Sequence, residues 1–402
     1  MINLLEEKNR FDKSITKNLP MRGRVQKFDT YKIPLKYLRY NVRNDRIATF
    51  ITQYTDETGE LPTGQEEFNS IIEDFIVESN PDALDKTKKN IKALGQIEPA
   101  VVMADGVVID GNRRFTALRQ LYKEESDNKF DYLEAVILPL DVYDYKEIKR
   151  LELNLQHAIE SKVDYSPIER LVGVYRDLIQ DGHPFTVEEY AAETQISKRK
   201  VNEEVEIAKL LVEYLNYINQ PGKFHIARRQ KIDGPLREVY KILRSKKIDD
   251  FSKDDVKEFL FSNMLSMDGD LTRGIRALKP VMENPKYREE ILEEAEDYLD
   301  DISDKLADSE VIKTGAETGI INVDIDTREN LNNLTEKHID NNKLSDARNQ
   351  PVDVLKKSLE RLEQVDKEAV KRFDQTLKNE FKKYLEVMEQ EVDELKEFLN
   401  DQ

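Results

Sequence analysis

The chain has 402 residues, 39 % hydrophobic and 36 % charged, and its 81 acidic against 63 basic side chains leave a net charge of -18. That length exceeds what one core usually serves and predicts two or three domains, while no apolar run nears the ~20 residues of a membrane span and MINLLEEKNR carries no apolar signal segment, so a cytoplasmic protein without membrane contact is expected. The absence of cysteine excludes disulfides, thiolate metal sites and cysteine nucleophiles, and the scattered His157, His183, His225 and His338 do not form a metal-ligand pattern.

The charge is uneven. Residues 1–50 carry 12 basic against 5 acidic side chains, and residues 251–402 carry 23 against 38. An acidic C-terminal third argues against indiscriminate coating of DNA but leaves room for a local phosphate-binding face elsewhere. Residues 1–30, with Pro20, Arg22, Gly23 and Arg24, show no sustained period and read as a basic flexible arm. Residues 31–47 suggest a short strand and turn, and 56–64 a loop. Phe68, Ile71, Ile72, Phe75 and Ile76 share one helical face, Asn80-Pro81 breaks that helix, and a second helix runs over 82–94 to a stop at Gly95.

Apolar runs on either side of Asp105-Gly106 predict a hairpin over 97–109. Its second strand leads into Asp110-Gly111-Asn112-Arg113-Arg114-Phe115 and then a helix over 116–123. A glycine at a strand-to-helix turn lets backbone approach a ligand, a helix N-terminus favours an anion, and adjacent arginines supply charge-assisted bonds to phosphate. A further strand falls within 131–142 and a helix over 146–158. Ser166 is placed to cap a helix that has Pro167 at its first position.

Residues 186–211 have the spacing of a helix-turn-helix: Tyr190 and Ala191 in a short helix, a turn at Thr194-Gln195, apolar Ile196, the cap Ser197, and Val201 facing the core. Ser197, Lys198, Arg199, Lys200 and Asn202 then begin the second helix as DNA-contacting candidates, although Gln195 stands where a turn glycine is usual and Glu203, Glu204 and Glu206 add negative charge. Basic residues Arg228, Arg229, Lys231, Arg244, Lys246 and Lys247 follow, as further backbone contacts or a solvated face. Residues 313–350 read as a linker. In the last 50 residues, Leu355, Leu359, Leu362, Val370, Phe373, Leu377, Phe381, Leu385, Met388, Val392, Leu395 and Leu399 step mostly by three and four, a seam for self-association or for packing within the chain.

Taken together, residues 31–215 resemble the ParB family of chromosome and plasmid partition proteins, whose first domain shares a fold with sulfiredoxin. Asn41-Val42-Arg43 resembles the family's early arginine motif. Residues 95–102, Gly-Gln-Ile-Glu-Pro-Ala-Val-Val, followed by Gly111-Asn112-Arg113-Arg114-Phe115, resemble its G-E-R-R-x-R-A motif, and Asn154-Leu155-Gln156 its E-N-x-Q-R motif. The helix at Ser166-Pro167-Ile168-Glu169 and the helix-turn-helix follow in the family's order.

The resemblance implies an α+β ParB/sulfiredoxin-like domain followed by a mainly α-helical part with a helix-turn-helix and C-terminal coiled-coil-like helices. The expected division is a basic arm (1–30), a nucleotide-binding domain (31–160), a DNA-binding domain (161–250), a helical region and linker (251–350) and a dimerisation region (351–402). By resemblance the first domain binds CTP with magnesium as a clamp switch on DNA. Arg43, Gly111, Asn112, Arg113, Arg114, Asn154 and Gln156 would form the nucleotide site, and Asn154 would help hold the metal. The chain departs from the family where Asn112 replaces a glutamate, Leu153 replaces the glutamate before Asn154, and His157 replaces an arginine; the first two substitutions remove carboxylates that magnesium favours.

The leading expectation is a ParB-like, nucleoid- or plasmid-associated homodimer acting in DNA partition or gene regulation, with weak CTP hydrolysis left open and a partner ATPase as a further contact, for which Arg22 and Arg24 are candidates. The alternative is a nuclease or phosphotransferase on the same fold, in defence against foreign DNA, using carboxylates such as Glu98, Asp105 and Asp110. A third is a scaffold whose acidic C-terminal helices bind a partner protein.

Overall fold

The computed structural model describes residues 2–141, 143–158, 166–307 and 325–400, and the chain divides into two compact units, Met1–Ile339 and Asp340–Gln402. The first unit opens with a six-stranded mixed sheet. Its strands are β1 (Lys13–Met21), β2 (Arg24–Pro34), β3 (Arg39–Tyr40), β4 (Ala100–Met103), β5 (Val107–Asp110) and β6 (Tyr132–Leu138), in the order β1-β2-β6-β4-β5-β3. β6 runs parallel to β4 and β5 parallel to β3, and the other neighbours are antiparallel. Helices α1 (Ala48–Thr58), α2 (Gln65–Ser79) and α3 (Pro81–Leu94) are inserted between β3 and β4, α4 (Asn112–Glu125) follows β5, and α5 (Tyr145–Ala158) follows β6.

Alternation along the central strands explains the layering. Val102, Ala135 and Ile137 bury one face of the sheet with Phe68, Ile72, Leu84, Ile91 and Leu118 of α2, α3 and α4. Val101, Val136 and Leu138 point to the other face and pack with Leu151 of α5 and with Leu19 and Met21 of β1. Strands covered on both faces need apolar residues at successive positions, and β4 and β6 supply them.

The helical remainder of the first unit comprises α6 (Pro167–Leu178), α7 (Val187–Thr194), α8 (Lys198–Tyr217), α9 (Phe224–Gln230), α10 (Asp233–Leu243), α11 (Lys253–Ser266), α12 (Leu271–Glu283), α13 (Pro285–Ala307) and the start of α14 (Ile325–Glu363). One continuous core joins Leu153, Leu171, Leu211, Phe259, Leu278, Ile302 and Leu331, so the expected border at residue 250 does not separate two cores. Within the expected linker, 313–324 lie outside the described residues, and 325–350 are helical: Leu331, Leu334, Thr335, His338 and Asn342 form a buried stripe at helical spacing.

The first 30 residues are likewise not an arm. β1 and β2 form a hairpin in register from Lys13↔Tyr31 to Met21↔Arg24. Lys17, Leu19 and Met21 are buried at alternating positions, with Lys17 reaching Glu98 at 2.7 Å, so a basic strand hides its one-sided pattern behind a lysine. Arg22 (φ 51°) and Gly23 (φ 70°) make the left-handed two-residue turn. Arg22 is engaged by Glu147 at 2.8 Å and lies over the Tyr143 ring.

The second unit contains the rest of α14, α15 (Lys367–Val370) and α16 (Gln375–Asn400). None of the described residues of α16 is buried. Among the described residues, no helix is long and apolar enough to cross a membrane.

Candidate functional site

The turn between β5 and α4 is built around Gly111. Its φ of +100° is a conformation that side chains disfavour, and a Cβ there would stand 2.7 Å from that of Ala100. Glycine therefore permits both the turn and the close approach of β4. The helix begins at Asn112, earlier than the expected 116, which puts Asn112, Arg113 and Arg114 in its first turn.

Arg114 folds back over this turn. Its Nη2 donates to Asp110 Oδ2 at 2.9 Å and its Nη1 to the Glu98 carbonyl at 2.7 Å. Asp110 also lies 3.8 Å from the Lys17 ammonium. Asn112 is 7 % exposed, and its Oδ1 has no hydrogen-bond partner among the described residues.

A cleft of about 1120 Å³ opens beside the turn, lined by residues of both the sheet half and the helical half of the first unit. From the sheet half come Lys86 and Asn90 of α3, Ile97, and Gly111 to Arg114; from the helical half come Arg170 of α6, Tyr190 of α7, and Lys200 and Val201 of α8. The volume lies just above the roughly 300–1,000 Å³ of typical small-molecule sites. Its lining mixes apolar side chains with charges of both signs.

Beneath the cleft lies a buried ionic cage. The Lys149 ammonium sits 2.7 Å from Asp45, 3.6 Å from Glu152 and 3.7 Å from Asp177. The carboxylates outvote burial and hold the lysine charged, while burial raises the carboxyls of Glu152 and Asp177. Nearby, burial lifts Glu169 to about 7, against the opposing hydrogen bond from Thr49 Oγ1 at 3.0 Å. Asp45, Glu152 and Glu169 all reach the cleft wall. The centre of the cage is filled by the ammonium, and among the described residues no group of three or more His, Asp or Glu side chains is placed to hold a metal ion.

Helices α7 and α8 form the expected pair. Thr186 and Glu189 make a capping box at the start of α7, Gln195 closes it at φ 56°, and the Ser197 hydroxyl accepts from Lys200 N at the start of α8. Ala191 and Val201 are both buried in the helical core. Ser197, Lys198, Arg199 and Asn202 are exposed, whereas Lys200 turns to Glu203 at 2.7 Å and Glu204 at 3.1 Å. Glu204 is in turn held by both Nη atoms of Arg237, at 2.9 and 3.0 Å.

The structure thus brings Gly111, Asn112, Arg113 and Arg114 to one cleft together with Lys200. It does not bring Arg43 or Asn154 to that cleft. The Arg43 guanidinium stacks 4.5 Å over the Tyr145 ring, and Asn154 Nδ2 donates to Glu193 Oε2 at 2.8 Å, tying α5 to α7. Asn154 is not among the residues lining the cleft, where α5 presents Glu152, Leu153 and Leu155 instead. The Gln156 side chain lies outside the described residues. Sequence reading missed Lys86, Arg170, Glu152 and Glu169; the step of four between Asp82, Lys86 and Asn90 was the available sign of a polar face on α3. Comparison with family models, curated proteins and solved structures finds no match for this chain.

Proposed function

We propose that the chain is a ParB-like DNA-binding protein that takes a nucleoside triphosphate in the cleft beside Gly111, with CTP the candidate by resemblance, and uses its occupancy to control its hold on DNA in partition or gene regulation. One observation carries the reading: the glycine turn with Arg113 and the first turn of α8 with Lys200 line the same cleft, so a ligand there touches the helix pair assigned to DNA. The exposed Ser197, Lys198, Arg199 and Asn202 supply the DNA-facing side chains. Self-association through the C-terminal helices belongs to the same proposal. The nuclease alternative draws no support from Asp110, which is paired with Arg114 and Lys17.

Calorimetry with CTP, ATP and GTP in magnesium buffer tests it. One triphosphate should bind wild type, and Arg113→Ala should weaken it, by less than the roughly tenfold worth of a full charge-assisted bond because Arg113 already has a partner. Absence of binding by all three would remove the nucleotide from the proposal.

A further inference from the structure

Six basic side chains line the cleft, and they are not equivalent. Arg114 is committed to Asp110 and the Glu98 carbonyl, and Lys200 to Glu203 and Glu204. Arg46 and Arg113 are engaged as well. The side chains of Lys86 on α3 and Arg170 on α6 are different: both residues are exposed, and among the described residues neither side chain has an ion-pair or hydrogen-bond partner.

A cation already bonded to a carboxylate must exchange that partner for a phosphate, and the abandoned carboxylate then repels the incoming anion. A solvated cation gives up only water. The free side chains are therefore the ones whose bonds to a polyanion are least offset by bonds lost. Burial also keeps the carboxyls of Glu152 and Glu169 biased towards the neutral form, which spares an anion their full repulsion.

We propose that Lys86 and Arg170 grip the terminal phosphates of a polyphosphate-bearing ligand in this cleft, while Arg114 serves to hold the turn that shapes it. The assignment rests on the reading of the cleft as a nucleoside triphosphate site. It also gives that site a mechanical consequence, because α3 belongs to the sheet half and α6 to the helical half: a ligand held by both ties the two together.

The probe is inorganic tripolyphosphate, titrated calorimetrically into the full chain beside CTP. Wild type should bind both. Lys86→Ala and Arg170→Ala should each weaken tripolyphosphate about tenfold, and the double variant about a hundredfold, with no change in thermal midpoint because both side chains are exposed. Arg114→Ala should lower the thermal midpoint and affect affinity less than either. Wild-type affinity in the folded double variant overturns the assignment and leaves the nucleotide reading standing. Failure of wild type to bind either probe overturns both.

Discussion

Glu169 is the clearest case of a single side chain whose setting dictates a measurable behaviour. It is 2 % exposed, accepts a hydrogen bond from Thr49, and has Arg228, Asp45 and Arg46 as its charged surroundings; burial dominates and lifts the carboxyl to about 7. The folded chain then keeps a proton that the unfolded chain releases near pH 4.5, so folding binds protons between those values. This stabilising contribution is complete below about pH 4.5 and is lost as pH rises towards 7. Glu169→Gln retains an acceptor for Thr49 and cannot ionise. It should match wild type in urea unfolding at about pH 4.5 and exceed it at about pH 8, by up to about 3 kcal/mol, since each pH unit separating the folded and unfolded titrations is worth roughly 1.4 kcal/mol. A variant less stable than wild type at that higher pH would mean that the charged carboxylate stabilises the fold.

Among the elements, the α7–α8 turn joins a well-specified pair of helices through a poorly suited residue. Gln195 adopts φ 56°, where a side chain is strained and glycine is not. Gln195→Gly should stabilise the chain by about 0.5–1 kcal/mol, with unfolded-state entropy offsetting part of the relief, and chemical denaturation would read it. The residue pattern disclosed this pair because its signals are local: a cap, a small contact residue and a turn within a dozen positions. Asp105-Gly106 and Asn80-Pro81 were legible for the same reason. The β1–β2 hairpin was not, since its buried face includes Lys17, whose partner Glu98 is remote in sequence. The cleft was half legible: Gly111 and its arginines announced themselves through backbone chemistry, but Arg170 and Glu169 meet them only through the packing of the helical half on the sheet half. Nothing in the sequence separated the arginine that binds its own turn from the cations left free.

At the scale of the whole molecule, the two units bury their apolar residues very differently. The first encloses Phe115, Phe185 and Phe259 almost fully, whereas α16 leaves Leu377, Leu385, Met388, Val392 and Leu395 between 44 and 47 % exposed along one seam. A contiguous apolar stripe on a 26-residue helix is costly in water, and the proposed self-association would cover it with the matching side chains of a second copy. If the proposed self-association is correct, sedimentation of the full chain gives a dimer at micromolar concentration, and Leu385→Glu/Met388→Glu gives a monomer. The melting of the first unit should be unaffected, because the substituted side chains belong to the second. Tripolyphosphate affinity should persist in that monomer as well, since every residue lining the cleft lies within Met1–Ile339. A wild-type chain that sediments as a monomer over that range would rule out self-association through α16 and would point to a partner of different sequence for its apolar seam.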